Sequence, residues 1–64
     1  MDLKVGDIVQ GPFHDWGVIL SEPTYELTLN QNDREIYWVG FYFLDAQGRV
    51  RYWDQLEDNI RIVA

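Results

Sequence analysis

The chain has no cysteine, one histidine and two prolines in 64 residues, and each scarcity excludes something. Without cysteine there is no disulfide, and without a histidine cluster there is no zinc site, so the usual staples of a very small domain are missing. A chain of this size hides only about 60% of the surface its unfolded form exposes, which leaves stability to side-chain packing. Bases are scarce too: five Lys and Arg against eleven Asp and Glu give a net charge of −6. That sign is wrong for wrapping phosphate backbones, and it disfavours nucleic acid as a partner. The acids lie singly or in pairs along the chain, so no acidic tail is implied. No stretch approaches the roughly 18 apolar residues of a membrane span, and the opening "MDLKVGDIVQ" lacks the basic and apolar regions of a signal peptide. The expectation is a soluble, cytoplasmic protein with no membrane contact, and the absence of cysteine fits a reducing cytosol.

Helical periodicity is also lacking, since no window repeats apolar residues at three-and-four spacing for three turns. What is present is alternation of β-branched and aromatic residues with polar ones, the pattern of an all-β chain. Five strands are predicted, at residues 5 to 10, 16 to 21, 36 to 44, 49 to 53 and 60 to 63. "DQLEDN" supplies one 3₁₀ turn before the last of them. "TYELTL" alternates like a strand and "NQNDRE" has the composition of a hairpin loop, so residues 24 to 35 read as an extension of the second strand into a long hairpin with the third. "DAQG", with Asp45 first and Gly48 last, reads as a type I turn joining the third and fourth strands. With no repeat or linker, residues 1 to 64 form a single domain. This order is that of a small five-stranded SH3-like barrel with a 3₁₀ turn before the last strand.

Aromatic residues are abundant and concentrated: "YWVGFYFLDAQGRVRYW", residues 37 to 53, holds seven of the chain's ten. Alternation sorts the third strand into Tyr37, Val39, Phe41 and Phe43 on one face and Trp38, Gly40, Tyr42 and Leu44 on the other. The first set makes the better core. It is joined by Val50 and Tyr52, by Val5 and Val9, by Val18 and Leu20, by Leu56, and by Ile60 or Ile62. Arg49 and Arg51 should not point into a small barrel, which places Trp38, Tyr42, Arg51 and Trp53 together on the outward face, where Arg stacks on rings. Residues 24 to 35 cover that group, or it is exposed with the composition of a partner-binding hot spot.

Reaction chemistry is absent from the pattern. His14 and Asp15 are the only His–carboxylate neighbours, and no nucleophile or further ligand stands beside them, so they read as a polar loop tip. Asp54, Glu57 and Asp58 have the spacing of a capped turn, Ser21 has no base, and the five glycines form no phosphate loop. A filled barrel this small has no interior pocket. The expectation is therefore a non-enzymatic protein, with no catalytic residues, no metal site and no cofactor.

"VGDIV", "WGVIL", "YWVGFYF" and "GRVRYW" leading into "QLEDNIRIV" together resemble the small SH3-like (Tudor or KOW-type) barrel proteins of tailed phages, marine cyanophages among them. The likeness spans most of the chain except residues 23 to 35. It implies a barrel set in a host cell or virion, of a kind that serves as a protein-binding, nucleic-acid-binding or purely structural module, and the partner expected here is a host or phage protein. Tudor-type relatives hold a methylated Lys or Arg in a cage of aromatics and an acid, and the resemblance maps that cage onto Phe13, Trp16, Phe43 and Asp45. Arg49 and Val50 stand where the family has a further aromatic, and a structural alternative has Phe13 and Trp16 plugging the barrel end. The leading functional expectation is a protein-binding adaptor that uses Trp38, Tyr42, Arg51 and Trp53. The alternatives are a self-associating structural module, as a homodimer or an assembly component, and an acidic DNA-mimic decoy. A stripe through Arg34, Arg49, Arg51 and Arg61 is the weakest binding mode given the charge.

Overall fold

The computed structural model describes residues 2 to 13 and 15 to 64. The protein is all-β: β1 (Ile8–Gln10), β2 (Trp16–Ile19), β3 (Thr24–Leu29), β4 (Glu35–Asp45), β5 (Val50–Leu56) and β6 (Arg61–Ile62), with a 3₁₀ turn (Glu57–Asn59) before the last strand. Thr24–Leu29 is a strand in its own right, which makes the count six. It forms a hairpin with β4, as the alternation in "TYELTL" suggested.

The strands join in the order β3-β4-β2-β1-β6, and β5 pairs with β4. Every pairing is antiparallel, and the sheet curls into a half-barrel. The 11-residue β4 is the spine. It carries β3 beside its first half and β2 beside its end, while β5 follows residues 38 to 44. The concave side closes around Leu3, Val9, Ile19, Val39, Phe41, Phe43, Trp53 and Ile60. Burial of these side chains is the main stabilising contribution in a chain without cross-links, at about 1.5–3 kcal/mol for each large apolar group.

Two loops set the registers, and they are built alike. In the β4–β5 loop the Gly48 amide donates to the Asp45 carbonyl at 3.1 Å and the Asp45 amide to the Arg49 carbonyl at 2.9 Å. The Asp45 carboxylate accepts from the amides of Gln47 and Arg49 at 3.0 and 2.8 Å. In the β3–β4 loop Asn30 takes the same part, its side-chain oxygen accepting from the amides of Asn32 and Arg34 at 2.9 and 3.0 Å. The residue after each turn is left-handed, Gly48 at φ 79° and Asp33 at φ 57°. These are three-residue hairpin loops: a turn followed by a left-handed residue that forms a bulge.

That bulge corrects the expected faces of the fourth strand. A bare four-residue turn would set Asp45 against Gly48 and Phe43 against Val50. One extra residue in the loop instead pairs Leu44 with Val50, Phe43 with Arg51, Tyr42 with Tyr52 and Phe41 with Trp53. A slip of one residue exchanges the two faces of a strand. Trp53 is accordingly core, at 4% exposure, whereas Tyr52 is 54% exposed and Val50 63%.

The second strand differs in the same sense. "VIL" is apolar at both parities, and the structure uses Ile19, opposite Phe43, leaving Val18 half-buried and Leu20 exposed. Gly17 settles this choice: the Phe43 ring lies 2.3 Å from where a Cβ on Gly17 would stand, so only a glycine face admits it. Val9, Val39, Phe41, Phe43 and Ile60 are buried as expected, while Tyr37, Val5 and Ile62 are exposed and Leu56 is half-buried.

Candidate functional site

The outward face of the sheet is built from the even-numbered residues of three strands. Antiparallel partners share a face, so the pairing puts Leu44 beside Val50, Tyr42 beside Tyr52, Gly40 between Thr24 and Asp54, and Trp38 between Glu26 and Leu56. Leu20 lies next to Tyr42, its amide donating to the Tyr42 carbonyl at 2.8 Å. The Tyr42 amide donates to the Ser21 hydroxyl, also at 2.8 Å. Leu20, Trp38, Tyr42, Leu44, Val50 and Tyr52 are all exposed. Apart from Trp38, which stands across Gly40, they are neighbours in the pairing and make an apolar surface of the kind that marks interaction sites in small proteins.

The side chains on this face are ordered by one another. Tyr42 and Tyr52 meet edge to face, with centroids 5.1 Å apart and planes at 67°. Tyr52 leans over Gly40, and a Cβ there would lie 2.1 Å from its hydroxyl oxygen. The glycine is thus a notch in the sheet surface that the tyrosine overhangs. Beyond the notch the Trp38 indole donates to the Asp54 carboxylate, and the Thr24 hydroxyl donates to the Gly40 carbonyl at 3.3 Å.

Of the four residues expected to bind a partner, two share this face. Trp38 and Tyr42 do. Trp53 does not: its ring stacks on Phe41 at 5.6 Å and 11° and meets Phe43 edge to face at 5.1 Å. Its Nε1 is buried without a hydrogen-bond partner among the described residues, a cost that the surrounding packing offsets. Arg51 has the inner parity opposite Phe43 but escapes the core at the end of the strand, its side chain 67% exposed and its Nη1 4.0 Å from Asp45 Oδ2. The argument that two arginines must point outward fails because an inward-facing arginine at a strand end still reaches water. Leu44 lies on this face as its parity implied, whereas Tyr52, Val50 and Leu20 are the surface members that sequence parity missed. Gly48 was the available signal, because a left-handed residue after the turn shifts the register by one.

The expected cage is not assembled. Phe43 is a core ring, and Trp16, two residues before Val18 in β2, has the opposite parity. Phe13 is 85% exposed and shares a hollow with Phe43, Arg51 and Trp53, but neither Trp16 nor Asp45 lines it. The Asp45 carboxylate is held by two loop amides and faces Arg51. His14 lies outside the described residues, so the pair with Asp15 is not placed. Arg34 and Arg49 sit in the loops at opposite ends of β4, which separates the members of the proposed basic stripe.

Among the described residues no group of three or more His, Cys, Asp or Glu side chains is arranged to hold a metal ion. No helix there is long and apolar enough to cross a membrane. Comparison with protein-family models, with curated proteins and with solved structures finds no match to this chain.

Proposed function

We propose that this domain is a non-enzymatic protein-binding module whose contact surface is the outward aromatic face. The supporting observation is the cluster of Tyr42, Tyr52, Leu44 and Val50, exposed side by side on paired strands, with Trp38 exposed on the same face across the Gly40 groove. Tyr and Trp are the residues that most often carry interface energy, because they bring a large contact area on few rotatable bonds. Their rigid placement on a sheet lowers the ordering cost of association. The acid-rich composition favours a partner with a basic surface. The test compares immobilised wild-type domain with the Tyr42→Ala variant in nuclease-treated bacterial lysate. A protein held by the wild type and lost from the variant is the expected outcome; equal retention by both would overturn the assignment of this face.

A second reading has its own observation. β3 pairs with β4 alone among the described residues, and one face of this hairpin carries Tyr25, Leu27, Leu29 and Tyr37, all exposed. An unpaired strand edge beside an apolar face is a template for a second copy. Light scattering at high concentration separates the two readings, since a monomer excludes self-association through this hairpin.

A further inference from the structure

The notch at Gly40 has a chemical character distinct from the rest of the outward face. It lies in a groove of about 450 Å³, within the ~300–1,000 Å³ of small-ligand clefts. Gly40 is the floor, Tyr52 overhangs one side, and the Trp38 ring forms the other. The flanking strands contribute Asp54 opposite Gly40 and Glu26 opposite Trp38, so carboxylates stand on both sides of the spine. Among the described residues its lining holds no Lys or Arg to neutralise them. Aromatic rings and two carboxylates around a groove with no basic residue in its described lining make a receptor for an organic cation.

We infer that this groove receives an arginine side chain from the bound protein. This rests on the outward face being a protein-binding surface and names the chemistry that one part of it selects. The Trp38 indole N–H already donates to one oxygen of Asp54, which holds both groups and leaves the second oxygen free to accept. A planar guanidinium stacks on the indole while its edge donates to Asp54, to Glu26 and to the Tyr52 hydroxyl. Lysine fits less well, because its ammonium is a compact, strongly hydrated charge that presents no planar face to the ring and no fork to the carboxylates. The Tyr52 hydroxyl fills the space directly above Gly40, so the guanidinium meets that hydroxyl inside the groove and does not lie against the strand.

The experiment titrates the ¹⁵N-labelled domain with three blocked peptides, identical except for a central arginine, lysine or citrulline. Shifts are followed at the Trp38 indole and the Gly40 amide. The arginine peptide is expected to move both signals and to bind at least about threefold more tightly than lysine and about fivefold more tightly than the uncharged citrulline. Asp54→Asn and Glu26→Gln are each expected to weaken the arginine peptide about three- to tenfold without changing the dispersed spectrum of the folded domain. Should Asp54→Asn disturb the fold through its bond to Trp38, Glu26→Gln decides alone. Equal binding of arginine and citrulline, a preference for lysine, or shifts confined to other surfaces would overturn the inference. A lysate protein that depends on Tyr42 but is indifferent to Asp54 and Glu26 would refute the arginine site while leaving the wider binding face intact.

Discussion

The body of the molecule and its β3–β4 hairpin are made from similar residues but are held together differently. In the body, β1, β2, β5 and the second half of β4 close around Trp53, Phe41 and Phe43, and each of these rings has other rings against it. The hairpin is no less apolar, with Tyr25, Leu27, Leu29 and Tyr37 on one face, yet five of the six residues of β3 are exposed and the sixth is half-buried. The molecule is correspondingly elongated, 37 × 22 × 19 Å. Apolar composition therefore does not decide burial here. What decides it is whether a second layer lies across the face, and the sheet curls over the body but not over the hairpin.

The contrast breaks most visibly at Trp53. Replacing it with Ala removes the ring that stacks on Phe41, and the expected loss is about 3–5 kcal/mol in urea unfolding, a large part of the 5–15 kcal/mol that small domains have. A loss below about 1 kcal/mol would mean the body is not organised around this ring. Next in size is Gly48→Ala, which forces a residue with a Cβ to φ 79° and is expected to cost about 1–2 kcal/mol by the same measurement. On the outward face, Tyr42→Ala is expected to cost about 1 kcal/mol, the scale of β-propensity and one cross-strand pair, so the variant stays folded for binding work. In the hairpin, Leu27→Ala is expected to change stability by about 0.5 kcal/mol or less, since its side chain is more than half exposed. A larger loss there would show that the hairpin face is covered.

The two loops sharpen the same comparison from the backbone side. They share their turn and bulge, but the left-handed position is glycine in one and Asp33 in the other. Aspartate tolerates that conformation better than most residues and still bears some strain. Asp33→Gly is therefore the mirror of Gly48→Ala and is expected to gain roughly 0.5 kcal/mol. A loss would mean that the Asp33 side chain contributes more than its backbone costs.

Much of the architecture was legible in the sequence. Alternation identified five of the six strands, "DQLEDN" contained the 3₁₀ turn, and Val39, Phe41 and Phe43 were assigned to the core, because these signals are local and one parity of β4 makes the better core. The faces of β2 and β5 were not legible by the same route. "VIL" is apolar at both parities, and "VRYW" offers Val50 and Tyr52 or Trp53 as the buried set, so only the loop could decide between them. Gly48 held that information in one residue. The site followed the same division: Trp38 and Tyr42 sit on β4, where parity was unambiguous, and both belong to the outward face, whereas Trp53 and Arg51 were displaced with the rest of β5. The groove at Gly40 depends on three strands meeting. No pattern within one segment reveals that Glu26 and Asp54 flank the same ring.

The assignment of the two aromatic faces is tested most directly through the tryptophans themselves. A variant carrying Trp16→Phe and Trp38→Phe retains Trp53 as its only indole. With Trp53 packed between Phe41 and Phe43, its fluorescence should be blue-shifted and should resist acrylamide quenching in the folded domain, becoming quenchable only in urea. Emission that is red-shifted and quenched as readily before unfolding as after it would place Trp53 on the surface and contradict the register on which the binding face rests.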